Sequence, residues 1–384
     1  MSRRIAVIVP AHRAHATLGR TLESVAAQTI ADELDVIIID DACPEGDYHD
    51  VASPFFSRLN LQLLRLPENL GAGGARQAGI DASDDPYFTC IDSDDEFASP
   101  DILEKLRDIL DADAAVQRAG GELMYCSDLG QRPTDNGGGI SMDGKLYRRS
   151  FTEKYGIRFN GSRSNEDYGY NLATGLLCDN EDEKIYSLPE IAVKVHKNPM
   201  SITASNGDQF AWDQRICGYV DNSIWAFDLA MKWRPGSGAV NAEILRVLLI
   251  IYAYWCIIKA RAPEYADQAW EYAKKYYHRC YRKYYIPAYE SMEQKLTPGI
   301  TGDIFELFER QGFFSVPEWD RPPMGFDEFL KRMRSEEYDP DHIYDIWQEM
   351  SSSPEMRSRM AANEETGVCE KGYAERRADG DERQ

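Results

Sequence analysis

The stretch Tyr87-Phe88-Thr89-Cys90-Ile91-Asp92-Ser93-Asp94-Asp95-Glu96 decides how the chain is read. A short apolar run, Tyr87 to Ile91, passes directly into four acids within five positions. Such a run reads as a buried strand, and strand ends are where an open α/β sheet holds its ligands. Asp92 and Asp94 stand two apart, so a turn just beyond the strand can bring both carboxylates to one site. Carboxylates that close repel each other unless a cation lies between them. Hard oxygen donors suit Mg²⁺ or Mn²⁺, ions that usually also take oxygens from a substrate phosphate. The plainer alternative is a solvated acidic turn opening a helix, with Ser99 or Asp101 near its N-cap.

Upstream, residues 5–9 form a continuous apolar, β-branched run, as expected of a central parallel strand buried on both faces. Residues 17–29 place Leu18, Leu22, Val25 and Ala26 on one helical face. Two further strands are expected at residues 36–39, ending in Asp40-Asp41, and at 61–66. Between them and the acidic stretch lies Asn69-Leu70-Gly71-Ala72-Gly73-Gly74-Ala75-Arg76-Gln77-Ala78-Gly79, a glycine-rich turn feeding a short helix. Strand–helix alternation with polar strand ends predicts an α/β fold with a doubly wound, mostly parallel sheet. The turn is neither a dinucleotide fingerprint, because Arg76 takes the place of the third glycine, nor a phosphate-binding loop, because Ile80 stands where the lysine belongs. Its glycines, Gly71 among them, let backbone approach a nucleotide while Arg76 reaches the phosphates; an Arg on a solvated helix face is the alternative.

These pieces resemble family 2 glycosyltransferases, inverting enzymes of the GT-A fold, over the N-terminal half of the chain. The resemblance is carried by Ile5-Ala6-Val7-Ile8-Val9-Pro10-Ala11-His12, Ser24-Val25-Ala26-Ala27-Gln28-Thr29, Ile37-Ile38-Ile39-Asp40-Asp41, Asn69-Leu70-Gly71 with Ala75-Arg76-Gln77-Ala78-Gly79, and the D-x-D of Asp92-Ser93-Asp94, in the family's order. The chain departs from the family at His12-Arg13, where Tyr-Asn is frequent, and at Ala42-Cys43, where Gly-Ser is frequent. The resemblance implies a nucleotide-sugar donor, a UDP-sugar first among them. Pro10, Ala11 and Asp41 would line the base pocket, and Gly71, Arg76, Asp92 and Ser93 would lie along the rest of the nucleotide. Asp94 and Asp92 would hold Mn²⁺ or Mg²⁺, with His196 at the end of residues 191–196 completing the metal site. Glu166-Asp167 would supply the catalytic base that deprotonates an acceptor hydroxyl, with Asp167 favoured and the reverse order open. Read alone, Asn165-Glu166-Asp167 is also a plain helix start.

The expected organisation is a glycosyltransferase domain over residues 1–206, a helical region over 207–350 and a disordered tail from 351. Helices are expected at residues 210–233, 240–262, 263–285, 305–314, 326–333 and 343–350. The segment 272–285 (YAKKYYHRCYRKYY) is basic and aromatic, and could touch an anionic membrane surface, a glycan or a nucleic acid, or simply pack its rings and solvate its lysines. The helical region could also serve oligomerisation. The longest apolar run, 247–258, is shorter than the roughly 20 residues a bilayer needs.

With 384 residues, 43% of them hydrophobic, the chain can bury a substantial core. A net charge of −22 argues against nucleic acid as a partner, since phosphate contacts call for Lys and Arg. Eight cysteines without a C-x-x-C pair point to neither a zinc framework nor a disulfide one. They fit a reduced, cytoplasmic setting, with no signal peptide expected and peripheral contact with the inner face of a membrane left open. The competing readings are a sugar-phosphate nucleotidyltransferase, which would carry its glycine loop after the first strand, and a catalytically inactive protein that binds glycan or a partner.

Overall fold

The computed structural model describes residues 4–127, 130–134, 141–162, 164–178, 180, 182–197, 209–261, 263–289 and 323–339. The helices expected at 305–314 and 343–350, the tail expected from 351, and Ser201 and Thr203, which read from sequence as phosphate contacts or a plain turn, lie outside these residues. The chain divides into two compact units between Ser205 and Asn206.

The first unit is built on β1 (Ile5–Ala11), every residue of which is buried. Its β-branched side chains serve both faces of the sheet. Val7 and Val9 join Leu18, Leu22 and Val25 of α1 (Leu18–Ala26) in one apolar cluster. β2 (Leu34–Asp40) pairs parallel with β1, and a short helix, α2 (His49–Ala52), leads on to β3 (Asn60–Arg65) at the outside of β2. Next, α3 (Gly71–Asp81) packs on β1 and β2, and β4 (Tyr87–Cys90) pairs parallel with β1 on its other flank. The chain thus moves outward from β1 in one direction and returns on the opposite side. That reversal makes the crevice beyond β1 and β4 the switch point at which open α/β sheets bind ligands.

Past β4 the sheet becomes mixed. β5 (Glu96–Phe97) is followed by α4 (Ile102–Ala112), the long β6 (Val116–Ser127) and β7 (Gly130–Thr134). β8 (Lys145–Arg148) runs antiparallel between β4 and β6, then come α5 (Arg149–Tyr155), α6 (Glu166–Leu177) and β9 (Lys184–His196), parallel to β6. The order is β3-β2-β1-β4-β8-β6-β9-β5, with β7 attached to β6. The expected parallel α/β arrangement is present across β3-β2-β1-β4, and a mainly helical C-terminal region follows in the chain.

In the second unit α7 (Gln209–Trp233), α8 (Gly238–Arg261) and α9 (Ala266–Tyr276) pack on one another. A π-helical stretch, Tyr277–Tyr285, continues α9 into α10 (Ile286–Tyr289), and α11 (Phe326–Ser335) sets Phe329 against Trp255 and Trp270. The apolar run judged short in the sequence lies inside α8, which by length and composition could cross a membrane; most of it is buried within the unit. In the basic aromatic segment Tyr272, Tyr276, Tyr277 and Tyr285 are buried, while Lys275 pairs with Asp221, and Arg279 and Lys283 with Asp228.

The approach of α3 to β1 depends on Gly79, where an added Cβ would stand 2.4 Å from Cγ2 of Ile8. Gly79→Ala should therefore overpack this contact and destabilise the unit by about 1–3 kcal/mol, read as a lowered urea midpoint at unchanged slope.

Candidate active site

Strand ends bring the site together. Asp41 follows β2, and its backbone N–H donates to Ala11 O (3.0 Å), continuing the β1–β2 ladder. Its carboxylate accepts from Leu70 N (2.6 Å) and Gly71 N (2.9 Å), so it caps the start of α3 from a distance. Free N–H groups and the positive end of the helix both favour an anion there. Gly71 has φ +76°, a backbone conformation that suits glycine at this tight entry. His12 Nδ1 donates to Asp41 O at 2.9 Å, and Asn69 Nδ2 to the same oxygen at 3.2 Å. Pro10 and Ala11 are buried at the end of β1 beside this cluster.

Arg76, expected along the nucleotide, lies in a buried ion-pair network. It is 4% exposed, and its guanidinium donates to Asp92 Oδ1 (2.6 Å) and to Glu166 Oε1 (2.8 Å). Burial opposes its charge, but Asp92, Glu166 and Asp167 outweigh that and hold its pKa above an already high ordinary value. The side chain fastens the end of β4 to the start of α6.

The acidic turn is drawn tight by Asp95 N donating to Asp92 O (3.0 Å) and by Thr21 of α1 donating to Asp95 O (2.7 Å). Carboxylate oxygens of Asp92, Asp95 and Asp143 lie within 4.8 Å of one another, one of two such potential metal-binding groups among the described residues. Asp143 is fixed by Asp92 N on Oδ1 (3.0 Å) and Ser141 Oγ on Oδ2 (2.7 Å), and His196 N donates to Asp95 Oδ1 (2.9 Å). Burial first, then Asp143 and Asp92, push the Asp95 carboxyl up to about 10; burial and Asp92 push Asp143 up to about 7. Three hard oxygen donors in mutual repulsion fit a divalent cation such as Mn²⁺ or Mg²⁺. Of the expected ligands, Asp92 belongs to this trio, and Asp94 and His196 lie beside it. Asp94 is half-buried outside this trio, its carbonyl accepting from Arg20, and Ser93 is half-buried in the turn. The His196 ring faces Glu96, with Nε2 3.3 Å from Oε1. The sequence displayed Asp95 but gave it no rank, and it held no periodic or motif signal for Asp143.

Glu166 and Asp167 open α6. Asn165 precedes them with φ +53° and makes no side-chain cap bond, so the simple capping role does not describe it. Asp167 is half-buried, accepts from Tyr168 N (2.8 Å), and is pushed up to about 7 by burial and by Glu166. One turn on, buried Asn171 donates to Asp167 O (3.0 Å) and Ser141 O (3.1 Å) and accepts from Arg118 and Tyr147, each at 2.8 Å. This network, which the sequence did not mark, ties the helix start to the loop carrying Asp143. Lys145, buried on β8, donates to Ser141 O and is pushed down to about 7 by burial and by Arg118.

Residues 6–156 match the family model described as glycosyl transferase family 2. The N-terminal part is thus family 2 glycosyltransferase-like. It is 30% identical over 144 residues to the succinoglycan biosynthesis protein ExoO of Rhizobium meliloti, covering 38% of this chain and 36% of that protein. It is 28% identical over 109 residues to the processive diacylglycerol beta-glycosyltransferase of Mycoplasma pneumoniae, covering 28% and 31%. The chain spans about a third of the length of these curated relatives. Among solved structures, residues 1–349 of S. aureus TarS in complex with UDP-GlcNAc align at 16% identity with TM-score 0.49, covering 82% of this chain and 93% of that one. The mannosyltransferase PcManGT of Pyrobaculum calidifontis, in complex with GDP-Man and Mn²⁺, aligns at 14% identity with TM-score 0.46, covering 86% of each.

In this glycosyltransferase-like unit the raised pKa of Asp143 has a stability consequence. Folding favours its protonated form, so its contribution is favourable at low pH and is lost as pH rises from about 4, the ordinary value, through about 7. Asp143→Asn should therefore raise the thermal midpoint at pH 8 by about 3 °C or more and change it little at pH 5. Mn²⁺ should stabilise the unsubstituted chain at pH 8 and the variant much less, both read by differential scanning fluorimetry.

Proposed function

We propose that the chain transfers a sugar from a nucleotide-sugar donor to a hydroxyl acceptor with inversion, a UDP-sugar being the first donor to test. The observation that carries this reading is Arg76 held between Asp92 and Glu166, with Asp167 beside them. It brings the strand-end acid Asp92, which lies within the segment that matches the family model, together with the helix-start acid Glu166, which lies beyond that segment. Asp92, Asp95 and Asp143 would hold a divalent cation. When bound, such a cation offsets diphosphate charge and so aids departure of the nucleoside diphosphate.

Asp167 is the proposed base. A carboxylate pushed up to about 7 accepts a proton near neutral pH without being protonated throughout. Glu166 is engaged by Arg76, which suits it to positioning. In the reaction the acceptor oxygen bonds to the anomeric carbon, the bond from that carbon to the diphosphate oxygen breaks, and the acceptor's proton passes to Asp167. Arg76, in this reading, is a positioning residue for both halves of the site. Asp41 meets the base only by giving up a backbone N–H.

The test is a panel of nucleotide-sugars with Mn²⁺, read by release of nucleoside diphosphate and by product formation on hydroxyl acceptors. Asp167→Asn should lower the transfer rate by about 10²–10⁴-fold with donor affinity nearly unchanged, and Glu166→Gln should lower it less. Transfer by Asp167→Asn at the unsubstituted rate would overturn the assignment. Because the working form of Asp167 is ionised, kcat/KM should rise with pH through about 7. A bound cation favours ionisation, so saturating Mn²⁺ should move that limb to lower pH, and Asp167→Asn should abolish it.

A further inference from the structure

Away from the acidic turn, a second set of metal-capable side chains is assembled from two loops, one after β1 and one after β2. His15 Nδ1, Cys43 Sγ and a Glu45 carboxylate oxygen all lie within 4.8 Å of one another. The state of the imidazole is set by its other nitrogen. His15 Nε2 lies 2.9 Å from Asp47 O, and a carbonyl can only accept, so Nε2 carries the proton. In the neutral ring Nδ1 then presents a lone pair. That atom is shielded from solvent and has no hydrogen-bond partner; Glu45 Oε2, 3.6 Å away, is beyond hydrogen-bond reach. An imidazole whose far N–H is held by a backbone carbonyl while its near nitrogen lacks a partner is the arrangement of a metal-ligating histidine.

The rest of the site is built to match. Cys43 is fully buried and held at both ends of its backbone: its N–H donates to Asp40 Oδ1 (2.8 Å), and its carbonyl accepts from Arg65 Nη2 (2.9 Å). Its sulfur accepts from Arg13 N at 3.4 Å, a bond that strengthens on a thiolate. The His15 ring stacks on Tyr48 (4.4 Å between centroids), whose hydroxyl accepts from Ala14 N. Tetrahedral zinc with ordinary ligand distances separates a nitrogen and an oxygen donor by about 3.4 Å. The observed 3.6 Å between His15 Nδ1 and Glu45 Oε2 is already close to that value.

We propose that His15, Cys43 and Glu45 form a binding site for a thiophilic divalent metal, Zn²⁺ by ligand chemistry, distinct from the Asp92–Asp95–Asp143 group. Imidazole with thiolate selects zinc over the hard cations that an all-carboxylate group prefers. Binding exchanges the Cys43 S–H proton for the metal, with one proton released to solvent per ion. Three protein donors leave a fourth position for water. The ion would clamp the loop carrying His12 to the loop carrying Asp41. No cysteine pair announces the site in the sequence, because each loop supplies part of it.

Cobalt is the probe, since thiolate ligation gives Co²⁺ a strong near-ultraviolet absorption. The full chain, stripped with a chelator and titrated with CoCl₂, should develop this band at one equivalent and lose it on equimolar ZnCl₂. Cys43→Ser should abolish the band; His15→Ala and Glu45→Gln should each weaken Co²⁺ affinity at least tenfold. Absence of the band at millimolar Co²⁺, or its persistence in Cys43→Ser, overturns the proposal. If circular dichroism shows Cys43→Ser misfolded, the other two variants decide: unchanged affinity in both overturns it. Saturating Mn²⁺ should leave the cobalt band in place, and its displacement by Mn²⁺ at similar concentration counts against a thiolate site.

Discussion

A single buried guanidinium sets the geometry of the first unit. Arg76 can reach both the end of β4 and the start of α6 only because α3 lies flush on the sheet, and α3 lies flush because Gly79 presents no Cβ to Ile8. Gly73 makes the same allowance on the next face, where an added Cβ would stand 2.7 Å from Cγ of Glu166. The glycines of this turn therefore serve close packing of helix on strand and helix on helix. Breaking a buried ion pair by removing one partner is typically far more damaging than never having made it, and here one cation answers to two anions from distant parts of the chain.

Around that cation the acids are held in tension. Asp95, Asp143 and Asp167 all have pKa values pushed far above the ordinary carboxylate range, and Lys145, close behind them, is pushed far below the ordinary lysine range. Burial leads every one of these shifts. Stability alone would favour diluting such a cluster, and charge crowding of this kind is what functional sites retain at the expense of stability. Through Asn171 one amide joins α6, β6, β8 and the loop of Asp143, tying the helix start to that loop.

The sheet was legible because its signal is local. An unbroken apolar, β-branched run such as residues 5–9 has few alternatives to a buried central strand, and polar residues at each strand end located the crevice. The family resemblance, carried by five short pieces in order, added the acidic pair at Glu166-Asp167. What the sequence could not carry was pairing. Arg76 displays charge but not which acids it will meet 16 and 90 positions away. Asp143 sits in a loop with no period to mark it, and joins Asp92 only because β8 inserts between β4 and β6. His196 reached the expected neighbourhood, with its backbone N–H on Asp95 and its ring turned to Glu96.

The way Asp41 holds α3 ties recognition to local order. Both oxygens of this carboxylate are already engaged by the first two N–H groups of the helix entrance. A ligand that draws on either oxygen competes with the protein's own backbone, and a buried donor left without its acceptor forfeits about 1–3 kcal/mol. Occupancy at one end of β2 would thus be felt as fraying at the first turn of α3, the same helix whose next turn carries Arg76. The entrance of that helix can behave as a latch, closed on the protein's own carboxylate when nothing is bound and loosened by a ligand that makes its own claim on it.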